Sequence, residues 1–212
     1  LDAIVEAMAK AFSEAAVELA ELAVRETGFG NVNNKITKNE FASKGVLEAI
    51  RDMKTVGELR EHPGEKLWQI GVPVGVIAAI VPSTNPTSTV CYKALIALKA
   101  GNAIVFSPHP KAIACTMRAA EIVARAAEAA GAPKGSVGCL TIPSMAGCKE
   151  LMEAEPVRLI LATGGPAMVK AAYSSGKPAI GVGAGNGPVY IHHTADVDKE
   201  LSCILQSKTF DY

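Results

Sequence analysis

Short apolar runs that end in glycine- or proline-centred turns and then lead into helical patterns dominate the chain after residue 73. Three such turns lie at residues 82–86, 162–166 and 181–188. A strand that ends in this kind of turn and opens a helix presents unpaired backbone N–H groups, where a phosphate or an oxyanion binds. The chain is therefore expected to carry a ligand site at the ends of its strands.

Strand and helix patterns alternate regularly from residue 74 onward. Apolar runs predict strands, and segments of helical period follow each of them. This alternation is typical of an α/β fold with a doubly wound parallel sheet and helices on both faces. The predicted strands are 74–81, 103–106, 137–142, 158–161 and 188–191, and the helices are 87–99, 111–130, 145–153, 167–174 and 197–207.

Helical patterns also precede the predicted sheet. Apolar residues recur at helical spacing over residues 1–24, which predicts one amphipathic helix, and a second helix is expected over 35–53. A polar segment through residues 62–64 follows and is the best internal boundary. We therefore expect an N-terminal helical segment over 1–65 that packs on a domain formed by 66–212.

Composition excludes several classes of function. Lysine plus arginine equal aspartate plus glutamate at 21 each, so no net charge favours nucleic acid or an anionic membrane as a partner. We expect no transmembrane span and see no signal-peptide pattern, so the expected location is cytoplasmic. The five cysteines form no CxxC pair, which argues against disulfides and a zinc site, and no metal is expected.

Asn85 follows an apolar run and precedes a proline, in the turn that also holds Ser83 and Thr84. This is the position of a helix N-cap followed by proline at the first helical residue. As a cap, its side-chain oxygen would accept a backbone N–H. Its amide NH₂ would still be free to donate to a developing oxyanion. A structural cap and a catalytic donor are both compatible with the sequence.

Thr163, Gly164 and Gly165 repeat the same strand, turn and proline order, with two glycines where a ligand phosphate could approach. A simple tight turn explains these residues equally well. No GxGxxG motif follows the first strand, so the ordinary dinucleotide signature is absent. Ser107, Pro108 and His109 end the second strand, where an α/β dinucleotide fold meets the adenosine ribose. A solvated turn residue is the favoured reading of His109, with ligand contact as the alternative.

His192 and His193 are adjacent on a predicted strand, so their side chains are expected on opposite faces, unable to hold a metal together. A structural role is favoured for both. The cysteines, Cys91 among them, have no histidine or lysine arranged by sequence to activate a thiol. We expect them to behave as small apolar residues.

Several segments together resemble the aldehyde dehydrogenase superfamily. Their number and order make the match far more specific than any one turn. The match is closer to the CoA-acylating branch, which includes acetaldehyde dehydrogenases and the aldehyde half of bifunctional aldehyde-alcohol dehydrogenases. The segments are residues 73–77, 84–89, 106–110, 161–166, 170–178 and 181–188.

The resemblance implies a role for each turn. The family's oxyanion asparagine falls on Asn85. The nicotinamide-phosphate turn falls on 163–165, within a dinucleotide-binding Rossmann-like domain over 66–212. NAD is the implied cofactor, and NADP is not excluded because Ser107 stands where many hydrolytic relatives have a lysine. The implied cofactor-binding residues are Ser83, Thr84, Ser107, Pro108, His109, Thr163, Gly164, Gly165, Val182 and Gly183.

Val182 stands where hydrolytic members have the glutamate that activates water. Without that base, the resemblance implies that the CoA thiol takes the acyl group, so aldehyde, CoA and NAD give acyl-CoA and NADH. Acetaldehyde is the expected substrate; propionaldehyde, succinate semialdehyde and sulfoacetaldehyde stay open. The alternatives are a hydrolytic NAD(P)-dependent aldehyde dehydrogenase and a non-catalytic nucleotide-binding fragment.

The family's nucleophilic cysteine lies a few residues beyond the segment that matches 207–212, and neither Cys91 nor Cys203 occupies its position. We therefore expect this chain to be the N-terminal, cofactor-binding portion of a longer enzyme and to be inactive by itself. A homo-oligomer is expected by analogy. Residence inside a bacterial microcompartment is a further alternative that the resemblance leaves open.

Overall fold

A five-stranded parallel sheet forms the centre of the computed structural model, which describes residues 1–211. A separate two-stranded hairpin precedes it in the chain. The strands are β1 (Gly57–His62), β2 (Leu67–Gly71), β3 (Val76–Ile80), β4 (Ala103–Ser107), β5 (Val137–Cys139), β6 (Val157–Thr163) and β7 (Ala179–Val182). The helices are α1 (Asp2–Glu14), α2 (Ala16–Thr27), α3 (Val32–Glu40), α4 (Val46–Ile50), α5 (Pro86–Lys99), α6 (Ile113–Ala129), α7 (Met145–Glu153), α8 (Pro166–Tyr173) and α9 (Val197–Thr209).

The sheet has the strand order β5-β4-β3-β6-β7, and every neighbouring pair is parallel. The chain first builds outward from β3 through β4 to β5 and then returns to add β6 and β7 on the other side. The order therefore reverses between β3 and β6, and in such sheets a crevice opens at the carboxyl ends of the strands at that point. The predicted parallel sheet is confirmed.

Helices cover both faces of the sheet, as predicted. Alternate residues of β3 face opposite sides: Ile77 and Ala79 pack in a core with α1, α5 and α6, whereas Ala78 and Ile80 pack in a core with α7 and α8. All four residues are buried because each face of the strand is covered. This explains why the run reads as continuously apolar rather than alternating.

The predicted single helix over residues 1–24 is wrong, because the chain breaks at Ala15 (φ −92°, ψ 6°) into α1 and α2. The two halves pack on different partners, α1 mainly on α6 and α2 mainly on α3, so they need different directions. The second predicted helix is confirmed with shifted ends. It runs from α3, capped by the Asn31 side chain, through a π-helical turn at Phe41–Gly45 into α4.

The antiparallel hairpin of β1 and β2 has no counterpart among the predicted elements. Its first strand, Gly-Glu-Leu-Arg-Glu-His, lacks the apolar alternation of a half-buried strand, and the second strand leaves Trp68 and Ile70 largely exposed. The boundary expected between residues 65 and 66 falls in the turn of this hairpin. The division of the chain at that point stays a prediction.

Strand β7 was not foreseen, and the strand predicted at residues 188–191 is wrong. β7 pairs with the end of β6, from Ile160 opposite Ala179 to Thr163 opposite Val182. Residues 188–191 pair with no strand within the described chain and follow β7 as irregular backbone. The apolar residues that suggested a strand there, Val189 and Tyr190, are exposed. The last predicted helix is confirmed as α9.

Candidate functional site

The turns after β3, β6 and β7 meet at the carboxyl edge of the sheet and enclose a cavity of about 720 Å³. The start of α5 and Lys38 from α3 complete its wall. Three turns far apart in sequence thus share one cleft at the switch point of the sheet, as expected for a ligand site in this architecture. The predicted site residues on this cavity are Ser83, Thr84, Asn85, His109, Thr163, Gly164, Gly165, Val182 and Gly183.

A second cavity of about 340 Å³ adjoins the first along the same edge. It is lined by Ser107, Pro108 and His109 after β4 and by the beginning of α7, and it shares the turn at residues 163–165 with the first cavity. The structure therefore brings every residue predicted to bind cofactor to one of two connected cavities. Their roles toward a ligand stay predictions.

Asn85 does not cap α5 with its side chain, so the predicted capping contact is wrong. Its Oδ1 instead accepts a hydrogen bond from Lys38 Nζ at 2.9 Å. A charged donor competes well for this oxygen, because charge-assisted hydrogen bonds are stronger than neutral ones. The amide Nδ2 has no partner among residues 1–211 and remains available as a donor at the cavity wall.

Two lysines of α3, the buried Lys35 and the partly exposed Lys38, form a cluster with Asp211 beside Asn85. Asp211 Oδ2 accepts from Lys35 Nζ and from Lys38 Nζ, both at 2.7 Å, and Lys35 Nζ also donates to the carbonyl of Thr84. The Asp211 side chain is 1% exposed. Burial lowers the pKa of Lys35, and the Asp211 carboxylate opposes this shift. The sequence analysis missed the cluster, because lysines on a polar helix normally indicate a solvated face.

The turn at residues 163–165 joins β6 to α8 and keeps the cavity open. Gly164 N donates to the carbonyl of Val182 at 3.1 Å, which ties the ends of β6 and β7 together. Gly165 is the N-cap residue of α8, and a Cβ added there would meet nothing within 4 Å. The free N–H groups at the start of α8 can therefore receive a phosphate without obstruction by side chains.

His109 lines both cavities, and its role as a solvated turn residue or a ligand contact stays a prediction. Its Nδ1 accepts from Lys111 N at 3.1 Å, so the turn itself orients the ring. The neighbouring Ser107 and Pro108 are buried, and Ser107 O accepts from Val81 N. The turn after β4 is thus attached by a backbone hydrogen bond to the end of β3, where the Asn85 turn begins.

Lys93 of α5 is buried against the ends of the neighbouring strands β3 and β6, a feature that the sequence analysis did not single out. Its Nζ donates to the carbonyls of Ile80 at 2.9 Å and Leu161 at 2.8 Å, at the ends of β3 and β6. Burial lowers its pKa to about 7. A neutral amine keeps two N–H donors, enough for both carbonyls. Lys93 therefore holds the switch point together in either charge state.

We expect the stability of the full-length protein to rise between pH 7 and 9 through Lys93. Its folded-state pKa near 7 lies below the ordinary value of 10.5, so in this window the unfolded chain binds more protons than the folded chain. The gain from one group is at most about 1.4 kcal/mol per pH unit. Urea unfolding midpoints should rise more steeply with pH for wild type than for Lys93→Met. Parallel pH dependences would show that Lys93 does not titrate there.

The cysteines of the described chain offer no activated thiol at the cleft. Burial raises the pKa of Cys91 well above its ordinary value, and it also raises the pKa of Cys148, which lines the second cavity. Cys203 is exposed on α9. Within residues 1–211, no group of three or more His, Cys, Asp or Glu side chains could hold a metal ion.

His192 and His193 lie in a turn rather than on a strand, so the expectation that they face opposite ways is wrong. Their ring centroids are 4.1 Å apart, and His192 Nδ1 contacts Thr194 Oγ1 at 2.8 Å. Both belong to the irregular segment before α9 and do not line either cavity. Of the helices described for residues 1–211, none has the length and apolar character needed to cross a membrane.

The fold and the cleft define a member of a known family. The chain belongs to the aldehyde dehydrogenase family, which it matches over residues 2–211. It is 53% identical over 211 residues to the bifunctional aldehyde-alcohol dehydrogenase AdhE of Escherichia coli K12, covering 100% of this chain and 24% of that protein. The resemblance stated from the sequence is confirmed.

Two solved structures have the same fold. An acetylating aldehyde dehydrogenase from Geobacillus thermoglucosidasius has a TM-score of 0.97 at 60% identity, with 100% of this chain and 47% of that chain covered. A propionaldehyde dehydrogenase from Rhodopseudomonas palustris, solved with bound CoA and an acylated cysteine, has a TM-score of 0.84 at 34% identity, with 99% and 48% covered. The chain thus spans about a quarter of AdhE and about half of these two structures.

Proposed function

We propose that the intact protein is a CoA-acylating aldehyde dehydrogenase, which converts an aldehyde, CoA and NAD to an acyl-CoA and NADH. This chain supplies the cofactor-binding cleft and the oxyanion donor. The observation that carries the proposal is the cleft itself: among residues 1–211, Asn85 Nδ2 is an unpaired donor, and the lining of the cavity includes Val182 and no carboxylate. The similarity to an acetylating enzyme over the whole chain supports it.

Residues of this chain fit NAD. The glycine turn opens the N-terminus of α8 to a phosphate, and the turn at residues 107–109 borders the adjoining cavity, where the adenosine side would lie. When bound there, NAD supplies the acceptor for the hydride of the aldehyde. NAD is the proposed cofactor. NADP is the alternative.

Asn85 acts on the reacting carbonyl in this scheme. A cysteine thiolate adds to the aldehyde carbon, and the carbonyl oxygen gains the negative charge that Nδ2 stabilises. Loss of hydride from that carbon leaves a thioester on the cysteine. Since no thiol described here is activated and placed at the cleft, we propose that the cysteine belongs to the remainder of the enzyme, outside this chain.

The presence of Val182, rather than a glutamate, bears on whether water or CoA attacks the thioester. Water needs a general base to attack a thioester at neutral pH, and a valine side chain provides none. The thiolate of CoA attacks without such help, forming a new thioester and releasing the enzyme's cysteine as the thiolate. Acyl-CoA is therefore the proposed product. A hydrolytic enzyme that releases a free carboxylate is the alternative that this residue disfavours.

Acetaldehyde is the proposed substrate, with propionaldehyde, succinate semialdehyde and sulfoacetaldehyde as the other candidates. The proposal includes a cytoplasmic homo-oligomer with the chain divided at residues 65 and 66. Exposed apolar side chains on the hairpin, Leu67, Trp68 and Ile70, support an interface at that place. Sedimentation equilibrium of the full-length protein tests the oligomer.

Product analysis tests the proposed reaction. Full-length protein is incubated with each aldehyde, CoA and NAD or NADP, and products are quantified by mass spectrometry. The proposal predicts one acetyl-CoA for each NADH, with acetaldehyde and NAD as the preferred pair. Formation of acetate at the same rate without CoA would instead identify a hydrolytic enzyme. NAD binding without turnover of any aldehyde would identify a nucleotide-binding protein without chemistry of its own.

A further inference from the structure

The orientation of the Asn85 side-chain amide is fixed by Lys38, a residue of helix α3. An asparagine side chain can present either its oxygen or its NH₂ group to a given point by rotation about χ2, and only the NH₂ group stabilises an oxyanion. A lysine ammonium has donors and no acceptor. Because Lys38 Nζ lies 2.9 Å from Oδ1, the oxygen must face the lysine, and Nδ2 must face away from it.

Lys38 is itself held in place by Asp211, which also binds Lys35. Asp211 Oδ2 accepts from Lys38 Nζ at 2.7 Å, and the same oxygen accepts from the buried Lys35. Lys35 also donates to the carbonyl of Thr84, the residue before Asn85. The cluster therefore binds both the backbone and the side chain of the turn that carries the donor. Thr84, Asn85 and the two lysines form one connected hydrogen-bond network through Asp211.

Helix α3, which carries both lysines, is attached to the start of α5 by a buried asparagine. Asn39 Nδ2 donates to the carbonyl of Ala16 at 3.0 Å, and Asn39 Oδ1 accepts from Thr87 Oγ1 at 2.8 Å. Thr87 lies two residues after Asn85 on α5. The distance between Lys38 and Asn85 is thus set by packed helices and buried hydrogen bonds, rather than by a mobile surface side chain.

We propose that Lys38 is a positioning residue, whose ammonium holds the Asn85 amide with Nδ2 toward the reacting carbonyl and polarises that amide as a donor. The inference rests on the proposed function, and it adds a residue that acts through Asn85 without contact to substrate. Without Lys38, the amide can turn its oxygen toward the developing negative charge, where it repels. The polarising effect of a charge on a hydrogen-bonded amide also disappears.

A double-mutant cycle on the full-length protein tests the proposal. The variants are Lys38→Met, Asn85→Ala and the double variant, assayed for kcat with acetaldehyde, NAD and CoA. We expect Lys38→Met to lower kcat at least about tenfold, since misplacing a catalytic group by 1 Å can cost 10²-fold. In the Asn85→Ala background the same change should cost less than about twofold, because residues that act as one unit are not additive. Calorimetry should show unchanged affinity for NAD.

Two further variants separate positioning from stability. Lys38→Arg keeps the charge and the donors and should recover most of the lost kcat. Lys44→Met makes the same change at an exposed lysine six residues after Lys38 on the same helical segment. Lys44 pairs with Glu40, and its replacement should leave kcat unchanged. If Lys38→Met does not fold, Lys38→Leu in both Asn85 backgrounds gives the same comparison, because leucine also removes the charge and the donors.

The outcomes are distinct. A large loss in wild type that vanishes in the Asn85→Ala background supports the positioning role. Equal losses in both backgrounds would mean that Lys38 acts independently of Asn85, and full activity of Lys38→Met would mean that it does not act; either result overturns the proposal. Absence of CoA-dependent aldehyde oxidation in wild type would overturn the proposed function, and with it this inference.

Discussion

Replacing Asn85 with alanine is expected to lower kcat of the full-length enzyme by about 10²–10³-fold, the usual cost of removing one oxyanion donor. The affinity for NAD should change little, because the alanine leaves the turn at residues 163–165 intact. The loss belongs to kcat because the amide donates to charge that exists only after the thiolate has attacked. Steady-state kinetics and NAD calorimetry on the same preparation measure both quantities.

The control for this variant is Asn33→Ala, which removes an exposed amide from the neighbouring helix α3. It should leave kcat within about twofold, as for surface substitutions away from a site. Asn85→Asp provides a second comparison, because a carboxylate of similar shape would repel the oxyanion and should be no more active than alanine. Retention of activity by Asn85→Ala would remove Asn85 from the reaction.

Replacing Gly165 with leucine is expected to weaken NAD binding at least about tenfold, or about 1.4 kcal/mol. The backbone at Gly165 (φ −66°, ψ 164°) suits any residue, and an added Cβ meets no protein atom within 4 Å. The leucine therefore fits the fold but extends into the space at the start of α8 where a phosphate would lie. Calorimetric titration with NAD measures the change, and the unfolding temperature should be unaffected.

Gly64→Leu is the matched control for that experiment. Gly64 lies in the hairpin turn, also has open space around its Cβ position and is remote from both cavities. The same leucine there should leave the affinity for NAD unchanged. Unaltered affinity in Gly165→Leu, with a folded protein, would show that the cofactor phosphate is held somewhere other than the N-terminus of α8.

Local sequence patterns predicted the sheet because burial on both faces makes its strands continuous apolar runs. β3 and β4 were found in this way, and so were the turns that follow them. The hairpin of β1 and β2 was missed because β1 is polar and neither strand has the long buried apolar run of a central strand. The break at Ala15 was missed because α1 and α2 continue the same apolar spacing and differ only in the helices on which they pack.

The sequence predicted the cleft residues that directly follow strands, but it did not predict the side chains that support them. Residues directly after a strand, such as Asn85 and Gly165, occupy positions that the topology itself brings together. Lys38 and Asp211 are 173 positions apart, and only the folded chain places their side chains at hydrogen-bond distance. Lys93 is comparable: a lysine within an apolar helix gives no indication of which carbonyls it will reach. The supports of the site come from tertiary packing.

Lys93 and the cluster of Lys35, Lys38 and Asp211 support different parts of the cleft wall. One fixes the ends of β3 and β6 behind the cleft, and the other fixes the turn and its amide from α3. Catalytic groups need this kind of support because small displacements are costly. The N-terminal helices are therefore more than a cover for the sheet: α3 contributes directly to the geometry of the donor.

Rapid mixing of the full-length protein with acetaldehyde and NAD in the absence of CoA tests the central claim, acyl transfer to a thiol instead of to water. The account predicts one burst of NADH, no larger than the concentration of active sites, followed by near arrest. Addition of CoA should restart NADH formation and release acetyl-CoA. Continuous NADH formation without CoA, at the same rate and with acetate as the product, would contradict the account.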